Sequence, residues 1–581
     1  MKKTKIICTL GPSTSTEEII KELIVSGMNV ARFNFSHGTH KEHLEKYKIV
    51  ETVRREMNVP IATLLDTKGP EVRLKKFENQ KATIKTNDIF ILTTEDVLGN
   101  EKRAAVTYSD LPKDVKTGNI ILLDDGLIEL EVQKIIGNDI HCLVINGGVV
   151  KDNKGVNIPD VKLSLPFISE QDKKDILFGI ETGFDFVAAS FVSCADDVKE
   201  MRTLLDENGG SDIKIIAKIE NSEGVKNVGS ILSVADGVMI ARGDMGVEIP
   251  QQNLPAIQKH IIKIGYEMGK IVITATQMLE SMINNPRPTR AETSDIANAI
   301  YDGTSAIMLS GETAAGKYPV DAVRTMATIA KETEKDIDYK NRFYKRDNTE
   351  GVDITNAISH ATCTTAYDLD ASAIVTVTRS GHTARMVSKY RPAKPIIGCS
   401  YDERVYRQMA LSWGVIPVHC DFHDNTDELF DFAVKHAENC GVAKSGELVV
   451  ITAGVPLGIP GTTNILKVQV VGNVLVSGKG INKKIAYGNV CVATSMSDIE
   501  KNFTDGCILV TSKTNNAMME ILKKAAAIVT EDNDKNSHAE IVGLTLGIPV
   551  IVDAKNATKI LKSGTGVRVD AEKGLVCAME K

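Results

Sequence analysis

The sequence predicts an α/β protein built on a (β/α)8 barrel of the TIM type, with a small β barrel inserted in it and two further domains after it. Three observations predict this fold class. Eight buried-strand patterns alternate with helical patterns, a run of short β-type stretches interrupts them after the third strand, and an α/β rhythm continues beyond the eighth. Eight parallel strands alternating with helices is the number that closes such a barrel.

Each predicted barrel strand is a short apolar run, separated from the next by a helical pattern. The first helix carries Ile20, Leu23 and Ile24 at helical spacing, and a capping box from Ser169 to Asp172 opens the helix after the insertion. The predicted strands are residues 6–10, 30–36, 62–67, 186–191, 215–221, 237–244, 271–277 and 305–312.

Changes in composition divide the 581-residue chain into four predicted domains. Residues 1–69 and 167–340 form the barrel, and residues 70–166, where short β stretches begin after Gly69-Pro70, form the inserted domain. Residues 350–475 follow a charged stretch and read as a doubly wound α/β domain, and residues 476–581 as a small fourth domain of glycine turns and short apolar runs.

Composition excludes several classes of partner. A net charge of -7 and a pI near 6.0 give no basic field for nucleic acid. No apolar run approaches the roughly 20 residues of a membrane-spanning helix, and Gly11-Pro12 ends the first apolar run before a secretory signal could form. Ten cysteines without a CxxC pair indicate reduced thiols. We therefore expect a cytoplasmic protein with a small-molecule or protein partner.

Polar side chains gather where six of the predicted strands end, which is the active-site face of this fold. Alternate strand residues share a face, so Lys218 with Glu220, and Arg242 with Asp244, are predicted to address one cavity. A single such pair would be a structural ion pair, but the repetition favours an anionic ligand with a metal. The strand-end residues are Arg32, Asn34, Ser36, Asp66, Thr67, Lys218, Glu220, Arg242, Asp244, Thr274, Thr276, Ser310 and Glu312.

The inventory of these side chains indicates phosphoryl transfer. Glu220 and Asp244 supply two carboxylates and leave positions for the waters and substrate oxygens that Mg²⁺ prefers, whereas no cluster of His or Cys favours zinc. Arg32 and Lys218 supply the positive charge that neutralises a phosphoryl group in transfer. The chemistry requires no covalent nucleophile.

Six motifs in this order resemble the pyruvate kinase family, over roughly residues 1–475. The motifs are Arg32-Phe-Asn-Phe-Ser-His-Gly38, Leu65-Asp-Thr-Lys-Gly-Pro-Glu-Val-Arg73, Lys218-Ile-Glu-Asn221, Met239-Ile-Ala-Arg-Gly-Asp244, Ala275-Thr-Gln-Met-Leu-Glu-Ser281 and Met308-Leu-Ser-Gly-Glu-Thr313. The resemblance implies transfer of the phosphoryl group of phosphoenolpyruvate to ADP, giving ATP and pyruvate in the last step of glycolysis.

The resemblance also implies residue roles. Lys218, Thr276 and Arg32 are expected to be catalytic, and Glu220 with Asp244 to hold Mg²⁺ or Mn²⁺. The substrate contacts implied are Arg32, Gly243, Asp244 and Thr276. Two candidates remain open for the proton donor to the enolate: Thr276, and a water near Ser310 and Glu312.

A K⁺ site and a nucleotide site follow from the same resemblance. Glu71 is the acidic residue that accompanies K⁺ dependence, and Ser193-Cys194 stands where many relatives carry basic residues, so that contact is unassigned. The inserted domain is expected to close as a lid. The implied K⁺ ligands are Asn34, Ser36, Asp66 and Thr67, and the implied nucleotide contacts are Asn34, His37, Arg73 and Lys154.

A strand-to-helix turn in the third domain is a candidate effector site, because such a turn presents N–H groups and hydroxyls to an anion. Spacing alone is equally typical of an ordinary turn. The resemblance implies an effector domain that binds a sugar phosphate or AMP, in a homotetramer. The candidate residues are Thr378, Ser380, Gly381, His382 and Thr383.

The last hundred residues resemble the mobile phosphohistidine domain of enzymes that use phosphoenolpyruvate, with His538 at the position of the phosphate carrier. The glycines that normally precede this motif are replaced by Asp532-Asn-Asp-Lys535. We therefore expect a structural or regulatory remnant of a swivelling domain.

Two other functions are compatible with a barrel of this kind. A lyase of the phosphoenolpyruvate and pyruvate barrel group would share the Mg²⁺ carboxylates and the enolate, but it would lack Lys218 and the insertion at 69–166. A catalytically silent metabolite sensor would share the barrel and effector domain. The intact Lys218, Glu220, Asp244 and Thr276 argue against the sensor.

Overall fold

The computed structural model describes residues 2–161, 163–345, 353–421, 425–455 and 463–579. They form two compact units. One contains Met1–Asn356 with Thr378–His419, and the other Ala357–Val377 with Cys420–Lys581. In the described residues no helix is both long and apolar enough to cross a membrane.

The first unit is built on a closed barrel of eight parallel strands, in the order β1-β8-β7-β6-β5-β4-β3-β2, which confirms the predicted fold class. The strands end one to three residues earlier than predicted, because the last residues of the predicted runs belong to the loops that follow. They are β1 (Lys5–Thr9), β2 (Val30–Asn34), β3 (Ala62–Asp66), β4 (Phe186–Ala189), β5 (Lys214–Ile219), β6 (Gly237–Ala241), β7 (Ile271–Ala275) and β8 (Ala306–Leu309).

Apolar side chains from every second strand position fill the barrel interior, so the barrel is a packed core and not a pore. Five large side chains of this cluster are fully buried: Ile7, Leu64, Phe186, Ile216 and Met239. The opposite faces of the strands pack against the surrounding helices. Because both faces of the strands are largely apolar, the charged groups lie at or near the strand ends.

Helices and short helical turns surround the barrel. The helix Glu170–Thr182 begins with the predicted capping box between Ser169 and Asp172. The others are Pro12–Thr14, Glu17–Ser26, His40–Glu56, Ala195–Glu207, Ser222–Lys226, Val228–Val234, Arg242–Glu248, Gln251–Asn253, Leu254–Glu267, Glu280–Ile283, Arg290–Asp302, Gly311–Ala314, Pro319–Asp336 and Tyr339–Tyr344.

The insertion after β3 is a β domain with its own apolar core. Its strands pair as a curled six-stranded sheet and a separate two-stranded ribbon. The strands are Lys81–Ile84, Ile89–Thr93, Arg103–Ala105, Ile120–Leu123, Ile128–Ile136, Asp139–Asn146, Gly148–Lys151 and Val156–Asn157, with a short helix at Leu111–Asp114.

The remaining elements of the first unit follow Thr378. Two parallel strands pair here, and the helix that precedes them starts directly after the predicted effector turn. The elements are the helices His382–Lys389, Glu403–Gln408 and Met409–Leu411 and the strands Ile396–Ser400 and Val415–His419.

The second unit contains two groups of elements. In the first group, Ala373–Val377 pairs in parallel with Leu448–Gly454, which pairs antiparallel with Thr463–Val470, a strand the sequence patterns do not predict. The helices of this group are Ile354–Asp368 and Thr426–Asn439.

The second group, toward the end of the chain, is a mixed eight-stranded sheet. Its strands are Val474–Ser477, Lys479–Gly480, Ile485–Val492, Ile508–Thr511, Ala527–Thr530, Val550–Val552, Gly566–Asp570 and Leu575–Ala578. Its helices are Met496–Asn502, Asn516–Met518, Met519–Leu522, His538–Leu546 and Ala557–Ile560.

One carboxylate ties together both chain segments that connect the inserted domain to the barrel. The backbone N–H groups of Lys68 and Gly69, on the outgoing segment, donate to Asp172 at 3.1 Å each. On the returning segment, the Ser169 hydroxyl donates to the other oxygen of Asp172. Asp172 is only 2% exposed, so no solvent would replace it.

We predict that Asp172→Ala lowers the free energy of unfolding by about 1–3 kcal/mol, because it leaves buried N–H groups without an acceptor. Urea unfolding followed by the fluorescence of the single tryptophan, Trp413, measures this change. The matched control is Asp196→Ala, which removes an exposed carboxylate in the first turn of another helix, where it pairs with Lys199 on the surface. Equal stability of the two variants would contradict the prediction.

Candidate active site

A buried network of four charged side chains joins the carboxyl ends of β2, β3 and β5. Arg32 Nε lies 2.7 Å from Asp66 Oδ2. Lys218 Nζ lies 3.0 Å from Asp66 Oδ1 and 3.0 Å from Glu220 Oε1. All four residues are at most 9% exposed. Two cations therefore alternate with two carboxylates, as the strand-end pattern predicts.

The network fixes the charge of its central lysine. Burial lowers the pKa of Lys218, but the Asp66 and Glu220 carboxylates more than offset this effect and raise the pKa above its ordinary value. For Asp66, burial acts to raise the pKa, and the charges of Arg32 and Lys218 bring it below the usual range. Lys218 is thus a permanent ammonium at the barrel mouth.

Ser190, which the strand-end analysis did not single out, is part of this network. Its hydroxyl is within hydrogen-bond distance of Lys218 Nζ at 2.7 Å and donates to the Thr67 carbonyl at 2.6 Å. The backbone N–H of Phe191, a residue in the left-handed region at φ 56°, donates to Glu220 at 2.6 Å. The signal was available, because Ser190 directly follows a barrel strand as the other polar residues do.

Thr276 adopts a strained backbone at the end of β7. Its φ of 67° lies in the left-handed region, where a β-branched residue is a rare outlier. The side-chain hydroxyl donates to the Ala275 carbonyl at 2.6 Å and accepts from the backbone N–H of Gly243 at 2.9 Å. The strain positions this hydroxyl between the loops that follow β6 and β7, beside the predicted substrate contacts.

The predicted strand pair of Arg242 and Asp244 is wrong in its geometry. Strand β6 ends at Ala241 and a helix begins at Arg242, so the two residues do not alternate along a strand. The Arg242 guanidinium pairs with Asp295 at 2.6 Å and donates to the Thr276 carbonyl at 2.6 Å. Arg242 therefore braces the β7 loop, while Asp244 is exposed in the first helical turn.

Glu220 and Asp244 form a partial ligand set for a divalent cation. Burial raises the pKa of Glu220 to about 7; Lys218 opposes the rise, and the charge of Asp244 adds to it. A divalent cation between the two carboxylates would remove this repulsion, so the donor set fits Mg²⁺. Among the described residues no cluster of three His, Cys, Asp or Glu side chains is suited to a metal, so other ligands would come from water and substrate.

The four residues predicted to bind K⁺ lie on two adjacent strand ends. Asn34 and Asp66 are partners in the pairing of β2 with β3. The Asn34 side-chain oxygen accepts from the Ser36 backbone at 3.1 Å, and the Thr67 hydroxyl accepts from the Ser190 backbone at 3.1 Å. The loop therefore collects side-chain and hydroxyl oxygens, although Asp66 is also used by Arg32 and Lys218.

The predicted nucleotide contacts fall into two groups. In the inserted domain, a bridge joins Arg73 to Gly155, the neighbour of Lys154. Arg73 pairs with Glu71 at 2.6 Å, and Lys154 with Asp124 at 2.7 Å. The other two predicted contacts, Asn34 and His37, follow β2 on the barrel, and His37 is exposed.

Glu312, near which a proton-donating water was predicted as one candidate, is a buried residue that connects two loops. It is 2% exposed, and its carboxylate accepts from the backbone N–H groups of Leu279 at 3.0 Å and Ser310 at 2.7 Å. Glu312 therefore ties the loop after β7 to the loop after β8. By accepting from both loops, the Glu312 side chain helps to hold them in position at the site.

The predicted effector turn starts the helix His382–Lys389. Gly381, at φ 74°, occupies the N-cap position, and no side chain caps the helix. Thr378 and Thr383 are buried. Burial, and then the charge of Arg385, lower the pKa of His382 to about 4, so its ring is neutral at pH 7.

Comparison with known proteins places this chain in a family. The family model described as pyruvate kinase, barrel domain, matches residues 1–323, and the one described as pyruvate kinase, alpha/beta domain, matches residues 356–469. The model of the mobile domain of PEP-utilising enzymes matches residues 503–574.

Individual relatives agree with the family models. The chain is 49% identical over 578 residues to a pyruvate kinase of Bacillus licheniformis, covering 99% of both chains. It is 50% identical over 577 residues to a pyruvate kinase of Geobacillus stearothermophilus, covering 99% of this chain and 98% of the relative. A crystal structure of a pyruvate kinase from Cryptosporidium parvum matches with a TM-score of 0.77 and 38% identity, over 81% of this chain and 96% of that one. The chain therefore belongs to the pyruvate kinase family and is a pyruvate kinase enzyme.

Proposed function

We propose that this pyruvate kinase transfers the phosphoryl group of phosphoenolpyruvate to ADP at the Arg32–Asp66–Lys218–Glu220 network. The observation that carries this proposal is the ammonium of Lys218, held 3.0 Å from each of two buried carboxylates. Because the network is buried and already ordered, its charges need no reorganisation as the phosphoryl group moves. Lys218 and Arg32 offset the negative charge of that group.

The proposed mechanism divides the work among the other side chains. Arg32 orients the substrate while its Nε remains bound to Asp66, and Gly243 and Asp244 contact the substrate on the β6 side. The Thr276 hydroxyl, fixed by the Gly243 N–H at 2.9 Å, faces the enolate and is the proposed route of its proton. The inserted domain excludes water when it closes, with Arg73 and Lys154 toward the nucleotide.

Cations complete the proposal. Glu220 and Asp244 are the proposed ligands of Mg²⁺ or Mn²⁺, which supplies Lewis-acid polarisation of the phosphoryl oxygens. Asn34, Ser36, Asp66 and Thr67 are the proposed ligands of K⁺. Burial is the main cause of the raised pKa of Glu220, and the charge of Asp244 adds to it, which supports the first assignment because it indicates that the two carboxylates are close enough to interact.

We also propose the four-domain division, a cytoplasmic homotetramer, and allosteric activation by a sugar phosphate or AMP at Thr378–Thr383. The uncapped helix at Gly381 supports the effector site.

His538 is proposed to be structural: its Nδ1 is 3.0 Å from the Thr514 hydroxyl, and its Nε2 is 2.9 Å from the Asn516 side-chain oxygen. With both ring nitrogens engaged, the ring is held in place instead of being presented to a phosphate donor.

We predict that Lys218→Met lowers kcat by at least about 100-fold, because it removes the buried charge that stabilises the transferring group. Production of ATP from phosphoenolpyruvate and ADP, measured with a coupled assay, tests this. Lys226→Met, at an exposed position in the short helix after the same strand, is the control and should retain full activity. An active Lys218→Met enzyme would refute the proposed network.

We predict that turnover requires K⁺ and falls to a small fraction when a large organic cation replaces it. Such a cation does not fit the oxygens of Asn34, Ser36 and Thr67. Initial rates at constant ionic strength measure the effect. Glu71→Lys, which supplies a tethered ammonium, should reduce this dependence. Equal rates with and without K⁺ in the unmodified enzyme would rule the site out.

We predict that Ser380→Ala combined with Thr383→Ala abolishes activation by a phosphorylated effector, because two hydroxyl donors at the helix start are lost. Turnover at saturating phosphoenolpyruvate should be unchanged. Rates at subsaturating phosphoenolpyruvate, with and without the effector, measure the response. An effector response equal to that of the unmodified enzyme would show that the phosphate binds elsewhere.

A further inference from the structure

The segment between β2 and the helix His40–Glu56 carries side chains of two proposed sites, and we call residues 35–39 the β2 loop. Ser36 is a proposed ligand of K⁺, and His37 is a proposed nucleotide contact. Residues 37–39 are exposed, so burial does not fix their positions. A loop that is already ordered binds a ligand more tightly, because less conformational entropy is lost on binding. The contacts that order this loop therefore bear on nucleotide binding.

Both ends of the β2 loop are anchored through their backbone. The N–H of Phe35 donates to the last carbonyl of β3 at 3.0 Å. At the other end, Thr39 is the N-cap of the following helix, and its N–H donates to the Glu42 carboxylate at 2.7 Å in a capping box. Between these anchors, the N–H of His37 donates to the Asn34 carbonyl at 3.3 Å and closes a turn. None of these contacts holds the carbonyl of His37 itself.

His43, near the start of the helix His40–Glu56, holds the middle of the β2 loop. Its Nε2 lies 2.9 Å from the carbonyl oxygen of His37. A carbonyl oxygen only accepts, so Nε2 carries the proton and donates it. Gly38 leaves room for this approach: its φ is 84°, and a Cβ at this position would lie 3.4 Å from His43 Nε2. The exposed peptide between residues 37 and 38 is thus attached to a buried ring.

Aromatic packing fixes the ring of His43. The side chain is buried and stacks on the Phe35 ring, with the ring centres 4.1 Å apart and an angle of 17° between the ring planes. The ring of Phe33, on β2, meets it edge-on at 6.3 Å. These two rings, one on the strand and one on the loop, set the direction of the Nε2–H bond. The donor is therefore in place before any ligand binds.

The surroundings of the ring favour its neutral form. Nδ1 of His43 is buried, and no residue in the described part of the chain forms a hydrogen bond with it. A proton on Nδ1 would be a buried N–H without an acceptor, which is costly. Burial accordingly lowers the pKa of His43, and the bond to the His37 carbonyl opposes this effect. The neutral ring with its proton on Nε2 is therefore the form that holds the loop.

We propose that His43 is a positioning residue for nucleotide binding: its Nε2–H fixes the His37 peptide and thereby places the His37 side chain against ADP. His43 acts through the β2 loop and does not itself touch substrate, because its ring is buried. The proposal rests on the proposed nucleotide contact of His37. Loss of this hydrogen bond leaves both ends of the loop anchored, so the cost falls on the binding of ADP and not on that of phosphoenolpyruvate.

Two substitutions separate the hydrogen bond from the packing of the ring. His43→Phe keeps a ring that stacks on Phe35 and removes the donor, whereas His43→Gln removes the ring and places an amide N–H where Nε2 stood. The KM for ADP is measured from initial rates of ATP formation at saturating phosphoenolpyruvate and K⁺. We expect it to rise about 3- to 10-fold in His43→Phe, the effect of one lost hydrogen bond, and to stay within about twofold in His43→Gln. The KM for phosphoenolpyruvate should be unchanged in both variants.

Tyr47→Phe is the matched control. Tyr47 lies one turn farther along the same helix, and its hydroxyl donates to the Gly183 carbonyl at 3.2 Å. The variant loses a bond of the same kind, to a carbonyl outside the β2 loop, and should keep the KM for ADP of the unmodified enzyme. Urea unfolding of all three variants, followed by Trp413 fluorescence, measures their stability. A KM for ADP that rises in step with the loss of stability in all three would overturn the positioning role.

Other outcomes also decide against the proposal. An unchanged KM for ADP in His43→Phe, an equal rise in His43→Gln, or an equal rise in the KM of both substrates would overturn it. His37→Ala tests the contact on which the proposal depends and should itself raise the KM for ADP. An unchanged value in His37→Ala would remove that contact from the proposed function and the role of His43 with it. A raised value in His37→Ala beside an unchanged one in His43→Phe would overturn the positioning role alone, and an active Lys218→Met enzyme would instead contradict the proposed catalytic network.

Discussion

The active site depends on one physical constraint: a buried ammonium must have carboxylates on both sides. Burial acts to lower the pKa of Lys218, and Asp66 and Glu220 oppose it; burial acts to raise the pKa of both carboxylates, and Lys218 opposes that in turn. Three different barrel strands must therefore end at one place, which only a closed barrel of fixed register provides. The apolar packing inside the barrel, far from the chemistry, is what holds these strand ends within hydrogen-bond distance of each other.

Much of this arrangement is readable in the sequence, because a barrel strand is apolar until it reaches the mouth. Arg32, Asp66, Lys218 and Glu220 were predicted to lie together for that reason, and their contacts agree. Arg242 and Asp244 were misread, since the alternation argument holds only while the chain stays extended and a helix begins at Arg242. Ser190 directly follows β4 and could have been found by the same rule, but only its contact with Lys218, 28 positions away in the chain, shows that it belongs to the network. The antiparallel strand Thr463–Val470 is half-exposed and lacks the apolar run by which the parallel strands were found.

The loops around the site are connected by side-chain to backbone contacts that residue patterns in the sequence do not predict. Asp172 holds both connections of the inserted domain, and Glu312 holds the loops after β7 and β8. In each case a buried carboxylate accepts from main-chain N–H groups, so its partner can be any residue type. Such contacts follow from the path of the chain in space, and a single sequence gives the path only approximately.

At Thr276 a backbone conformation that lowers stability accompanies a side chain with a proposed role in activity. Its left-handed conformation costs roughly 1–3 kcal/mol for a β-branched residue, and glycine at the same position would release that energy. Glycine would also remove the hydroxyl that accepts from the backbone N–H of Gly243. Selection for heat resistance alone would therefore favour a change that removes the hydroxyl proposed to serve in catalysis. Substitutions that raise the thermal stability of this enzyme must therefore be made at positions other than Thr276.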